Sequence, residues 1–158
     1  MPGAVRTVVD HVVRVVVAEG PPGPRERPDV AVLATSLLEH GRALHGPDVS
    51  TLLEPVPPDD LRASVRDGLD PLLDDLVGDE RNVLLTLARM IVTLDSGEIV
   101  AKDEAVPRVL PSLVAADRGV LSLAMHGYLG QAEDDWSSRG AAARVVAERL
   151  ADRIRASG

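Results

Sequence analysis

Apolar positions recur with three- and four-residue spacing along most of the chain, and the breaks between runs fall on Gly and Pro. The clearest run is Val83, Leu84, Leu87, Ala88, Ile91 and Leu94. It predicts the longest helix, opening at Asp79, running to about residue 94 and stopped by Ser96-Gly97 as C-cap glycines stop helices. Further upstream, Asp29 stands in N-cap position for a helix reaching Leu44, whose face of Val30, Leu33, Leu37 and Leu44 predicts a largely buried element. Gly46-Pro47 ends it, residues 48–53 have room for a turn or two, and residues 54–58 form a stiff connector. Asp59 is expected to cap a helix over 60–68, and Asp70 a short one over 72–77 opened by Pro71. Beyond Gly97, residues 98–102 read as a loop. A helix then begins at Lys102 or Asp103, with Pro107 near its first turn, where proline is tolerated. Another is expected from Pro111 to Leu129, closed by Gly130. The last, near 135–156, would turn Ala141, Val145, Leu150 and Ile154 inward and its arginines outward. No internal repeat or heptad array is present. The pattern predicts an all-α fold, a helical bundle of five to six helices.

The N-terminus does not follow the same rule. Residues 5–17 contain eight Val. Positions 5, 8, 9, 12, 13 and 16 fit a helical face, while Val itself favours strands, so both readings stay open. A Gly20-Pro21-Pro22-Gly23-Pro24 cluster with Pro28 behind it reads as a linker. The expected organisation is a leader or remnant segment with its Pro/Gly linker over 1–28, and one domain over 29–158.

Composition narrows the chemistry. Hydrophobic residues make up 45% of the chain, enough for a core, but with no Phe, one Trp and one Tyr that core must be packed from Val, Leu and Ala. No Cys is present, so disulfides and thiolate metal sites are excluded. The four His (His11, His40, His45, His126) form no ligand-like pair on one face, and no metal site is expected. A net charge of −8 argues against nucleic acid as a partner and suits a cationic ligand, though it also serves simple solubility. The Val-rich stretch over 12–17 is far short of the ~20 residues of a membrane span. Without a secretory pattern, a cytoplasmic location with no membrane partner is expected.

Several residue types occur once: Lys102 among 17 basic residues, Asn82, Gln131 and Tyr128. In a chain otherwise rich in Arg, Ala, Val, Asp and Gly, these fall into three blocks. The first is Gly78-Asp79-Glu80-Arg81-Asn82-Val83-Leu84-Leu85-Thr86-Leu87-Ala88-Arg89. The second is Ser96-Gly97-Glu98-Ile99-Val100-Ala101-Lys102-Asp103, and the third is Tyr128-Leu129-Gly130-Gln131-Ala132-Glu133-Asp134. Read from the residues alone, Asp67, Asp70, Asp74, Asp75, Asp79 and Glu80 form an acidic block suited to a polycation. An N-cap at Asp79 and dipole-complementing acids explain the same residues without a ligand. Lys102, near a helix N-terminus where the dipole disfavours cations, is harder to explain structurally, although adjacent Asp103 and Glu104 could compensate and leave it an ordinary surface lysine. Tyr128 alone could be a core residue with its hydroxyl at the surface. Glu133, Asp134 and Asp135 read as a solvated charge run, Trp136 as a packing anchor and His126 as a surface residue at a helix end. No dinucleotide, P-loop, nucleophile-elbow or zinc motif occurs.

In order and spacing the three blocks resemble the C-terminal helical domain of streptomycin/spectinomycin adenylyltransferases, antibiotic-resistance transferases. The resemblance covers about residues 29–156 and is most specific over 78–134. It implies that Asp75, Asp79 and Asn82 contact the drug and that Lys102 and Tyr128 contact the nucleotide. Streptomycin-accepting members carry a Trp where this chain has Asp70, so spectinomycin-type members are the nearer analogy. The family's N-terminal nucleotidyltransferase domain carries a Gly-Ser turn and an Asp-x-Asp pair that binds magnesium, and neither dipeptide pattern occurs in these 158 residues. ATP and Mg2+ are therefore implied as cofactors with the Mg2+ ligands outside this chain, and no catalytic residue is identified in it. The expectation is a substrate-binding half that is inactive alone. It would transfer AMP from ATP to a hydroxyl of a cationic aminoglycoside or aminocyclitol when joined by a separate nucleotidyltransferase domain. The alternative is a stand-alone, non-catalytic binding or dimerisation module.

Overall fold

The computed structural model describes residues 28–41 and 48–157, and no strand occurs among them. In chain order they form α1 (Pro28–His40), a 3-10 turn (Val49–Thr51), α2 (Pro58–Asp67), α3 (Leu69–Asp74), α4 (Glu80–Ser96), α5 (Lys102–Val109), a second 3-10 turn (Leu110–Ser112), α6 (Ala115–Tyr128) and α7 (Gly140–Ala156). The all-α expectation holds. With the six-residue α3 set aside, the described α-helices number six, within the expected five to six. The Val-rich segment, the Pro/Gly linker with the boundary drawn at 28, and the expected helix end at Leu44 lie outside the described residues.

The contacts divide the chain into Met1–Ser64 and Val65–Gly158. In the first unit, the 3-10 turn packs on α1 and is closed by Asp48, whose carboxylate accepts from the Ser50 N–H (3.0 Å) and hydroxyl (2.8 Å). The predicted burial of α1 does not hold: Leu33 is 54% and Leu37 40% exposed. Periodicity marks an apolar stripe but not whether anything covers it. α2 starts earlier than expected. The Pro57 carbonyl accepts the Leu61 N–H (3.1 Å), and Pro58 takes the first helical position, where a missing N–H is harmless. Asp59 and Asp60 consequently sit inside the first turn rather than capping it.

The second unit is organised around α4, which packs against α3, α5, α6 and α7. Beyond the predicted face, Leu85, Met90, Val92 and Thr93 are also buried, so α4 is covered nearly all round, as a central helix must be. With no aromatic inside, the neighbours close on it through Ala105, Ala124, Ala143, Ala147 and Ala151, all fully buried, interleaved with Leu121, Leu150 and Ile154. Gly97 ends the helix at φ +78°, a left-handed conformation that Gly adopts without a Cβ penalty, and its N–H reaches the Thr93 carbonyl at 2.8 Å.

Several predicted boundaries move for local reasons. The Leu72 N–H donates to the Gly68 carbonyl (3.3 Å), so α3 begins at Leu69 and Pro71 falls in its first turn. Pro107 is the sixth residue of α5, not a first-turn residue. It cannot donate to the Asp103 carbonyl, and α5 ends two residues later in the 3-10 turn. α6 opens at Ala115 because residues 113 and 114 are extended. α7 opens at Gly140 because Asp135 takes the Ser137 N–H (2.9 Å) and holds the preceding residues in a turn. Its buried face is Ala143, Val146, Ala147, Leu150, Ala151 and Ile154. Ala141 and Val145 are exposed instead, Val145 lying about 140° around the helix from Leu150 at 3.6 residues per turn. The outward arginines are not idle. Arg149 grips buried Asp117 of α6 with two 2.8 Å contacts, Arg153 reaches Asp95 of α4 (2.7 Å), and Arg155 reaches Asp70 of α3 (3.0 Å). Asp70 is thus an ion-pair partner inside α3 and not its cap.

Candidate functional site

Residues 75–78 form the turn that enters α4, and Asp79 occupies its N-cap position. Its carboxylate does not cap the helix backbone. It accepts instead from the Asn82 side-chain amide at 2.8 Å, three residues on along the same face. The Asn82 side-chain carbonyl oxygen in turn accepts from the Lys102 ammonium. α5 packs on α4, which brings Lys102, its first residue, beside the first turn of α4. The result is a line of carboxylate, amide and ammonium in which both ends of the Asn82 amide are engaged. Thr86 closes the next turn by donating to the Asn82 backbone carbonyl (2.7 Å).

Lys102 is half-buried, and its pKa is lowered from 10.5. Burial is the largest cause; the Arg89 charge adds to it, the Asp79 charge opposes it, and Arg81 lowers it further. Arg89 was not singled out from the sequence. It stands seven residues after Asn82, two turns along the same face, in the otherwise apolar stretch from Leu87 to Val92. Its Nε is buried with no hydrogen-bond partner. A lone cation inside the apolar stretch of the clearest predicted helix was the signal available in the sequence. The site therefore combines exposed acids, Asp75 and Asp79, with half-buried cations, Lys102 and Arg89.

Three of the five sequence-predicted residues, Asp79, Asn82 and Lys102, are joined by hydrogen bonds. Asp75 is exposed at the C-cap of α3; its backbone N–H donates to the Leu73 carbonyl, and its carboxylate has no hydrogen bond or ion pair among the described residues. Tyr128 is the last residue of α6 and is 51% exposed, which removes the core reading of its ring. It is linked to the site through its neighbour: Arg81 donates to the Gly127 carbonyl at 3.5 Å and to Asp134 at 3.2 Å. Asp134 is not the solvated charge expected of it. Its side chain is 13% exposed, and its second oxygen accepts from the Trp136 indole N–H at 2.9 Å. Trp136 also lines a half-open cavity of about 520 Å³ with Leu76, Val77, Glu80 and Arg144, and none of the five predicted residues borders that cavity. No group of three acidic, His or Cys side chains converges among the described residues, so they do not fit a magnesium site.

Comparison with known proteins gives the following. Residues 51–153 match the family model "Aminoglycoside adenylyltransferase, C-terminal domain". A spectinomycin 9-adenylyltransferase of Staphylococcus aureus is 35% identical over 134 residues, covering 85% of this chain and 52% of that protein. An aminoglycoside (3'') (9) adenylyltransferase of Escherichia coli is 40% identical over 113 residues, covering 70% and 43%. Among solved structures, a spectinomycin adenyltransferase from Enterococcus faecialis with ATP and spectinomycin superposes with a TM-score of 0.76 at 29% identity, covering 82% of this chain and 51% of that one. The chain spans about half the length of the curated relatives it matches. Among the described residues no helix is long and apolar enough to cross a membrane.

Proposed function

This chain belongs to the family of aminoglycoside adenylyltransferase C-terminal domains, and on that premise we propose that it is the substrate-side half of an adenylyltransferase acting on a spectinomycin-type drug. Asp79 and Asp75 would accept hydrogen bonds from the drug's ammonium groups, with Asn82 alongside. Lys102 and Arg89 would hold nucleotide phosphates, and Tyr128 would contact the nucleotide. The observation that carries this reading is the Asp79–Asn82–Lys102 line. It places a carboxylate facing solvent and a half-buried ammonium at opposite ends of one amide, so a cationic and an anionic substrate could be held side by side. The lowered pKa of Lys102 fits: an ammonium desolvated between other cations gains most when phosphate oxygens arrive. Arg89, with its unpartnered Nε, stands to gain in the same way.

The reaction would join a drug hydroxyl oxygen to the α-phosphorus of ATP, break the α–β phosphoanhydride bond and release pyrophosphate. These residues contribute binding and orientation to it. Magnesium would supply charge neutralisation of the phosphates, but the residues described do not fit it, and no general base is identified here. The drug hydroxyl proton and the metal are left to groups outside these 158 residues, for which a nucleotidyltransferase domain is the expected source.

Calorimetric titration of the purified chain with spectinomycin and with streptomycin, each with and without MgATP, tests this reading. Spectinomycin binding that weakens in Asp79→Asn supports it. Equal binding by wild type and Asp79→Asn refutes the drug role of Asp79. No binding under any condition moves the account to the dimerisation-module alternative, which then predicts a concentration-dependent oligomer in ultracentrifugation.

A further inference from the structure

The side chains left over by the proposed function include one constellation that is built rather than incidental. Arg81 lies between Asp79 and Asn82 in sequence and points to a different element. Its guanidinium donates to the Asp134 carboxylate (3.2 Å) and to the Gly127 carbonyl (3.5 Å). Asp134 is shielded on its other side, where Oδ2 takes the Trp136 indole N–H (2.9 Å). The carboxylate is also pressed against Gly127. A Cβ on residue 127 would stand 2.7 and 2.8 Å from its two oxygens, closer than real Cβ contacts come. Gly127 is helical here with no left-handed φ, so conformational freedom does not explain it; the space taken by the Asp134 carboxylate does. An exposed guanidinium paired with a largely buried carboxylate, the latter held by a second donor, is firmer than a surface ion pair between two mobile side chains.

We propose that Arg81 and Asp134 are positioning residues: together with Gly127 they clamp the C-terminal end of α6 to the first turn of α4, and so set Tyr128 in register with Asp79, Asn82 and Lys102. This rests on the nucleotide role proposed above for Tyr128 and Lys102. Tyr128 follows Gly127 directly and is half-exposed, so burial alone does not hold its ring. Below it, α6 ends in a left-handed Gly130, and residues 131–136 follow without regular structure. The clamp is the side-chain tie that joins this helix end to the residues of the first block. It spans 46 and 53 residues of sequence from Arg81 to Gly127 and Asp134. A ligand touching both Tyr128 and Lys102 would therefore depend on it for geometry, while a drug held by Asp79 and Asn82 alone would not.

Asp134→Asn and Gly127→Ala test the idea in the full chain. Asn keeps the shape but presents an N–H₂ to one of the two donors. Ala adds the Cβ that the carboxylate excludes. Trp136 and Tyr128 are the only residues of their kinds, so the indole N–H and the tyrosine ring each give one set of NMR signals without selective labelling. Both variants are expected to move the Tyr128 ring signals together with the Trp136 indole signal. They should weaken MgATP binding on the order of tenfold, the lower range for loss of one charge-assisted hydrogen bond. Spectinomycin binding should stay within about twofold, since Asp79 and Asn82 are not touched. Tyr128 signals and MgATP affinity that stay as in wild type, with only Trp136 shifted, overturn the proposal and leave a loop staple. Equal weakening for both ligands also overturns it, because a general loss of fold does that. If the wild-type chain binds no MgATP, the nucleotide role fails first and the positioning role with it. If wild type binds and Asp134→Asn binds equally, only the positioning role fails.

Discussion

Lys102→Met separates binding from folding at one residue. The ammonium is half-buried, repelled by Arg89 and Arg81, and satisfied by the Asn82 side-chain oxygen. Met keeps most of the aliphatic stem and removes the charge. The cost is one unpaired amide oxygen on Asn82, itself only half-buried and within reach of water. The gain is release of the desolvation and repulsion that lower the Lys102 pKa. Because water still reaches this group, the expected net gain is at the low end for a stabilising single substitution, about 0.5 kcal/mol. For a domain of this length that is an upward shift of about 1–2 °C in the unfolding midpoint. Nucleotide binding moves the other way: losing a charge-assisted hydrogen bond to phosphate costs about 1.5–3 kcal/mol, or roughly 10- to 150-fold in Kd. Scanning calorimetry with and without MgATP reads both effects. A variant that melts several degrees below wild type yet binds nucleotide equally well would refute the reasoning, because it would make Lys102 a structural residue.

Other outcomes follow from the same structure. The Lys102 pKa is lower in the folded chain than its ordinary 10.5, so folding expels a proton as pH approaches that value. The unfolded chain then binds more protons, and stability gains with rising pH between the folded value and 10.5. The melting-point gap between Lys102→Met and wild type should therefore narrow through the alkaline range; a gap that widens contradicts the sign. Leu84→Ala empties a fully buried position in the central helix and should cost about 2–5 kcal/mol in urea unfolding, against no measurable loss if α4 were peripheral. Gly97→Ala puts a Cβ on φ +78° with no neighbour within 4 Å, so the strain is purely of backbone and should cost about 1 kcal/mol by chemical denaturation.

How much of this was legible in the sequence depended on the kind of information needed. Helix α4 was readable because the 3–4 spacing and Gly97 agree. Its burial on the remaining sides was not, since Leu85 and Val92 lie off the stripe and are covered only by tertiary packing. The boundaries at Pro71, Pro107 and Asp135 shifted because each depends on which carbonyl or N–H the chain satisfies locally, and proline is compatible with more than one register. Asp79, Asn82 and Lys102 could be named because each is a rare type or sits at a helix start. That Asn82 joins the other two is a fact of α5 docking on α4. Arg81, Arg89 and Asp134 were missed because Arg and Asp are common in this chain; burial distinguishes Arg89 and Asp134 from the other copies, and exposed Arg81 is distinguished by its pairing with Asp134.

The account stands most directly on whether this chain can complete a transferase. The measurement is transfer of AMP from α-labelled ATP to spectinomycin by the chain mixed with a separately expressed nucleotidyltransferase domain of a spectinomycin adenylyltransferase. Labelled drug formed in the mixture, absent with either component alone and abolished by Lys102→Ala, is the predicted result. A mixture that transfers equally well with Lys102→Ala, or a folded chain that supports no transfer with a competent partner domain, would contradict it.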